Sequence, residues 1–110
     1  SEAHLPGYLV KSDEIFAKGV DRIVCLSVND AFVMGAWGAD QNVEDKILML
    51  ADGSATFTKA VDLELDLNAG GLGIRSQRYS MLVNNGVVEV LNVEEDGFKV
   101  SDAETMLGNL

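Results

Sequence analysis

The sequence predicts an α/β domain built on a mixed sheet, and three observations carry that expectation. Ile23-Val24-Cys25-Leu26-Ser27-Val28 is a nearly continuous apolar run rich in β-branched residues, and Lys46-Ile47-Leu48-Met49-Leu50-Ala51 repeats the pattern. Such runs predict strands buried on both faces, as in a parallel sheet covered by helices. Helical spacing precedes the first run and separates it from the second. Asn85-Gly86, between Arg78–Val83 and Val87–Val93, is the preferred centre of a type I′ hairpin turn.

In chain order, Pro6 suits a first helical turn, where its missing N–H has no intrahelical partner. Leu5, Tyr8/Leu9, Ser12 and Ile15/Phe16 then mark one buried face of a helix running to about Lys18. Gly19 supplies the left-handed residue that ends it. Asn29-Asp30 caps a second helix reaching about Gly38, with Phe32/Val33 and Ala36/Trp37 expected inside. A polar loop, 40–45, leads to the second strand, and Asp52-Gly53 is a turn signal. Residues 54–61 read as a helix with Phe57, Ala60 and Val61 on its apolar face. Asp62-Leu63-Glu64-Leu65-Asp66-Leu67 alternates, acids outside and leucines inside, and 68–73 reads as a flexible connection. Glu94-Glu95-Asp96-Gly97 reads as a solvated turn. Ser101 and Glu104 have capping-box spacing for a last helix containing Met106, Leu107 and Leu110.

Composition narrows the partners. The chain has 110 residues, 47% hydrophobic and 24% charged, a single-domain length with globular make-up. A formal charge of −10 argues against nucleic acid and anionic membrane, which need clustered Lys and Arg. No apolar run approaches the ~20 residues of a membrane span, and the opening residues show no signal-peptide pattern. A single cysteine, Cys25, excludes an intramolecular disulfide and points to a reducing setting, cytoplasmic with an organelle left open.

Several separated segments carry a family resemblance. The opening Ser1-Glu2-Ala3-His4-Leu5-Pro6-Gly7-Tyr8 resembles the run that follows the reactive cysteine in type II peroxiredoxins, the peroxiredoxin-5 group. Val24 to Val33 resembles that family's strand-to-helix run, Leu50 to Ser54 its next strand end, and Arg75 to Ser80 its Arg-x-x-Arg-(Phe/Tyr) segment. The resemblance spans nearly the whole chain. It implies a thioredoxin-like peroxiredoxin fold, a mixed sheet flanked by helices, of which residues 1–110 are the C-terminal two-thirds of a single domain. The N-terminal strands would then be missing, including a central one between Ile23–Val28 and Tyr79–Val83. An N-terminal fragment or a neighbouring chain would have to supply that strand, and 1–110 is not expected to hold this fold as an isolated monomer.

The implied chemistry is attack of a cysteine thiolate on a peroxide oxygen, giving a sulfenic acid. The peroxidatic cysteine would stand directly before Ser1. By resemblance, Arg78 faces that thiolate and orients the peroxide, its guanidinium charged at any working pH; read from its residues alone, it is a surface arginine at a strand start. Arg75 is the second family arginine, with a supporting or surface role. His4 is a candidate for thiol tuning or a satisfied structural histidine. Cys25 stands where some members carry a second cysteine, and would assist resolution or accept glutathione; its alternative is an inert thiol in a strand core. The place of the late resolving cysteine holds Lys99-Val100-Ser101.

No cofactor or metal is implied. Asp62, Glu64 and Asp66 alternate with leucine as in a half-exposed segment, without the convergent loop of a hard-metal site. Gly70-Gly71-Leu72-Gly73 lacks the preceding strand and following helix of a dinucleotide loop. The leading expectation is a thiol peroxidase reducing hydrogen peroxide and alkyl hydroperoxides, with thioredoxin or glutaredoxin as reductant, acting as a homodimer. The competing one is a catalytically inactive peroxiredoxin fragment or dimerising interaction module. A small-molecule-binding α/β domain has only the fold class behind it.

Overall fold

A computed structural model describes residues 4–95 and 97–110. The first three residues of the opening motif, and Asp96 of the expected turn, lie outside the described residues. In chain order the first half holds α1 (His4–Val10), α2 (Ser12–Ala17), β1 (Ile23–Ser27), α3 (Ala31–Asp40) and β2 (Ile47–Ala51). The second half holds α4 (Thr56–Ala60), β3 (Glu64–Leu67), a 3-10 turn at Asn68–Gly70, β4 (Gly73–Ser76), β5 (Tyr79–Asn84), β6 (Val87–Val93) and α5 (Ala103–Asn109). The chain divides into two compact units, Ser1–Asp21 with Arg78–Leu110, and Arg22–Gln77. Among the described residues strand pairing is both parallel and antiparallel, in three two-stranded sheets: β1–β2 parallel, β3–β4 and β5–β6 antiparallel.

In the unit Arg22–Gln77, Cys25 is level with Met49 across the β1–β2 register. Asp30 caps α3 as expected, its Oδ1 accepting the Val33 N–H at 2.8 Å. The inner face of α3 is not Phe32/Val33 and Ala36. Met34 and Gly38, four residues apart, are buried, whereas Phe32 is 90% exposed. Small size decides this: a Cβ at Gly38 would lie 3.0 Å from Met49 Cγ, so the glycine lets α3 approach β2. The two strands are not buried on both faces either. Val24, Leu48 and Leu50 are exposed, so among the described residues only the Ile47/Met49 side of β2 is covered.

Asp52 is not simply a turn residue. Its carboxylate accepts from Thr58 Oγ1 at 2.6 Å, the Thr58 N–H at 2.8 Å and the Phe57 N–H at 3.1 Å. Thr58 is thus the fully buried residue of α4, while Phe57 remains partly exposed. Burial opposes ionisation of Asp52, but Thr58 and Phe57 outweigh it and hold the carboxyl below its ordinary range. The alternating segment forms β3 with Leu63 buried, but Leu65 is exposed. The connection expected to be flexible is a short turn into β4, made possible by left-handed Gly71 and Gly73.

In the other unit, the expected long helix is two segments broken at Lys11. Ser12 Oγ donates to the Leu9 carbonyl at 2.8 Å, three residues back, and Ser12 is buried with Leu5 and Ile15. Gly19 is left-handed, as expected. Asn85 and Gly86 both have positive φ, 52° and 78°, the type I′ geometry joining β5 to β6. A register shift between Leu82 and Val83 bulges this hairpin. The α5 cap is Asp102, whose Oδ1 accepts the Thr105 N–H at 3.1 Å, rather than Ser101. Ser101 is fully buried and committed elsewhere.

Candidate active site

The unit containing α1 and the β5–β6 hairpin brings His4 and Arg78 together. His4 opens α1, and Tyr8 lies one turn on, so both side chains share a face. The Ser101 carbonyl accepts from His4 Nε2 at 2.8 Å and from the Tyr8 hydroxyl at 2.8 Å. The Tyr8 hydroxyl also lies 3.3 Å from the Asp102 carbonyl. A carbonyl only accepts, so Nε2 bears the proton and Nδ1 the lone pair. The imidazole meets the Tyr8 and Phe98 rings edge to face, with centroids 5.5 and 5.3 Å apart.

Burial pushes the His4 pKa below its ordinary value. The Ser101 carbonyl pulls the other way, and the Arg78 charge reinforces the depression. His4 is therefore a neutral, oriented imidazole at neutral pH. Burial likewise raises the Tyr8 hydroxyl. Arg78 is exposed, just before β5, and its Nη1 donates to the Gly97 carbonyl at 2.9 Å. One edge of the fork is held while its charge stays accessible. That arrangement can steady a thiolate or a developing oxyanion.

Glu94 is what sequence reasoning missed. Expected in a solvated turn, it is 8% exposed. Its Oε2 accepts from the Lys99, Val100 and Ser101 N–H groups at 2.8 Å each, and from Ser101 Oγ at 2.7 Å. Burial opposes ionisation, but these donors outweigh it and hold the carboxyl at about 2, from 4.5. A Ser seven residues after the acid, with no helical or strand period linking them, left little signal to read.

Arg75 and Cys25 belong to the other unit. Arg75 Nη1 donates to the Val28 carbonyl at 3.0 Å and to Asn29 Oδ1 at 3.2 Å, and Nε to the Leu72 carbonyl at 2.8 Å. It ties the end of β1 to the β3–β4 hairpin, a supporting role. Burial pushes the Cys25 thiol up to about 11, so it is protonated at neutral pH. Among the described residues no three His, Cys, Asp or Glu side chains converge as metal ligands. No described helix is long and apolar enough to cross a membrane.

Comparison with known proteins follows the same lines. A family model described as Redoxin matches residues 1–107. A reduced Prx3 from Vibrio vulnificus, solved in complex with hydrogen peroxide, superposes with a TM-score of 0.94 at 63% identity, over 99% of this chain and 71% of that one. The fold is therefore the thioredoxin-like α/β fold of peroxiredoxins. Peroxiredoxin-2E, chloroplastic, of Arabidopsis thaliana is 50% identical over 97% of this chain and 47% of its own length. Peroxiredoxin-2D of the same plant is 48% identical, over 97% and 67%. The chain belongs to the Redoxin family, among the peroxiredoxins of the type II, peroxiredoxin-5-like group. It spans about half the length of the chloroplast relatives it matches.

Proposed function

We propose that the whole protein containing this chain is a thiol peroxidase that reduces hydrogen peroxide and alkyl hydroperoxides. The observation that carries the reading is the Arg78 guanidinium, held on the Gly97 carbonyl and acting electrostatically on His4 at the start of α1. The peroxide named with the 63% identical Vibrio structure supports the substrate class. The resemblance of the opening run to the segment that follows the family's reactive cysteine supports a nucleophile directly before Ser1, and Cys25, its thiol protonated by burial, is not assigned that role.

In this reading the upstream thiolate attacks one peroxide oxygen. An S–O bond forms as the O–O bond breaks, and the electron pair leaves on the distal oxygen. That oxygen takes a proton and departs as water or alcohol, while the cysteine becomes a sulfenic acid. Thioredoxin or glutaredoxin, with glutathione, supplies the two electrons that restore the thiol. Arg78 favours the thiolate over the thiol and steadies charge on the departing oxygen. Neutral His4 orders the start of α1 through Ser101 rather than acting as a proton donor. Cys25 is a packing thiol.

Residues 1–110 are then the C-terminal two-thirds of one domain, completed by N-terminal strands, and the intact protein is a homodimer. Its cytoplasmic assignment rests on cysteine usage alone; relatives include chloroplastic and mitochondrial proteins. The test is peroxide consumption by the full-length protein under a thioredoxin or glutaredoxin donor, with a cysteine expected immediately before Ser1. Arg78→Ala should abolish the activity. A different residue at that junction, or an unchanged rate in Arg78→Ala, overturns the assignment and leaves a non-catalytic module.

A further inference from the structure

We propose that Glu94 is a positioning residue of this site, the anchor that fixes the 97–101 loop so that its carbonyls hold both Arg78 and His4. The inference rests on the peroxidase reading and deepens it. Residues 97–100 are exposed, and a short exposed loop has little packing to order it. What orders it is one buried oxygen: Glu94 Oε2 gathers three consecutive backbone N–H groups and the Ser101 hydroxyl. Charge-assisted bonds of this kind are about twice as strong as neutral ones.

The same loop presents two carbonyls to the site. Gly97 receives Arg78 Nη1, and Ser101 receives His4 Nε2 and the Tyr8 hydroxyl. Phe98, between them, sets its ring against the imidazole. Glu94 also grips Arg78 from behind, its own N–H donating to the Arg78 carbonyl at 2.9 Å. Arg78 is thus bounded by Glu94 at its backbone and by a Glu94-ordered loop at its guanidinium. Release of the loop frees the fork and the imidazole together.

The experiment uses the full-length protein and the variants Glu94→Gln, Arg78→Lys and the pair. Glutamine keeps the shape but loses the charge that gathers the four donors. Glu94→Gln should lower kcat/KM for hydrogen peroxide about tenfold or more, the scale of a misplaced catalytic group. Because Glu94 acts through Arg78, the double variant should lose less than the product of the single losses. The His4 ring nitrogen resonances should shift in Glu94→Gln. A wild-type rate, fully multiplicative losses, or unmoved His4 resonances each overturn the proposal. If Glu94→Gln does not fold, Ser101→Ala, which removes one donor of four, should lower the rate in the same direction; an unchanged rate overturns it. Failure of the peroxidase reading looks different: the wild-type protein consumes no peroxide, and the His4 resonances alone then decide on Glu94.

Discussion

Glu94 Oε2 lies 2.7 Å from Ser101 Oγ and 2.8 Å from the Ser101 N–H, and through this pair a strand end dictates where a loop carbonyl meets His4. The bond spans seven residues, and none of the described residues between them belongs to a helix or strand. It converts an acidic residue, ordinarily solvated, into an internal fixture of the unit.

That fixture makes the unit acid-sensitive. The folded Glu94 carboxyl titrates at about 2 and the unfolded one near 4.5, so the unfolded chain binds more protons between these values. Stability then rises with pH across that window: the contribution is complete above 4.5 and disappears as pH falls toward 2. His4, whose pKa is lowered in the fold, adds the same sign on acidification below its ordinary 6.5. Denaturant midpoints measured down this range should fall, and Glu94→Gln should flatten the drop through the lower window.

Cys25 should resist alkylation. With its pKa raised to about 11, iodoacetamide at neutral pH should modify it slowly compared with an exposed thiol, and the rate should climb toward pH 11. Rapid labelling at neutral pH, followed by mass spectrometry, would contradict the packing role.

Two glycines of α3 should respond oppositely to alanine. At Gly38 the new methyl meets Met49 Cγ at 3.0 Å and Val43 Cγ2 at 3.3 Å, and overpacking of that kind costs roughly 1–3 kcal/mol. At Gly35 the new methyl meets nothing within 4 Å beyond the helix's own neighbouring backbone, so alanine should stabilise the helix by up to about 1 kcal/mol. Thermal melts of the two variants check the contrast.

The α3 cap offers a third measure. Asp30→Ala removes the acceptor of the Val33 N–H and should cost about 1 kcal/mol, whereas Asp30→Ser should restore most of it. An equal loss in both variants would mean that Asp30 contributes mainly through charge.

Among the described residues the parallel β1–β2 sheet has only these two strands, so each of them is an edge strand. Unpaired edges and the exposed Val24, Leu48 and Leu50 invite association. Residues 1–110 made alone should therefore self-associate or melt without cooperativity. A monomer with one sharp transition, seen by calorimetry and light scattering, would refute this.

Local chemistry was legible wherever one or two neighbours decide the outcome. Gly19, Asp30 and Asn85-Gly86 behave as their backbone preferences require, because capping and positive φ are settled within a turn. The strand runs appear at their expected places for the same reason, and the separated motifs sufficed to recognise the family. Which face is buried was another matter. Phe32 is exposed and Gly38 buried, because close helix–strand approach favours the smallest side chain over the most apolar one. Asp52, Glu94 and Ser101 read as turns and caps, yet each is buried in hydrogen bonds. Only the tertiary fold supplies the donors that make a buried carboxylate cheaper than a solvated one, and those donors lie at sequence distances that no periodicity encodes.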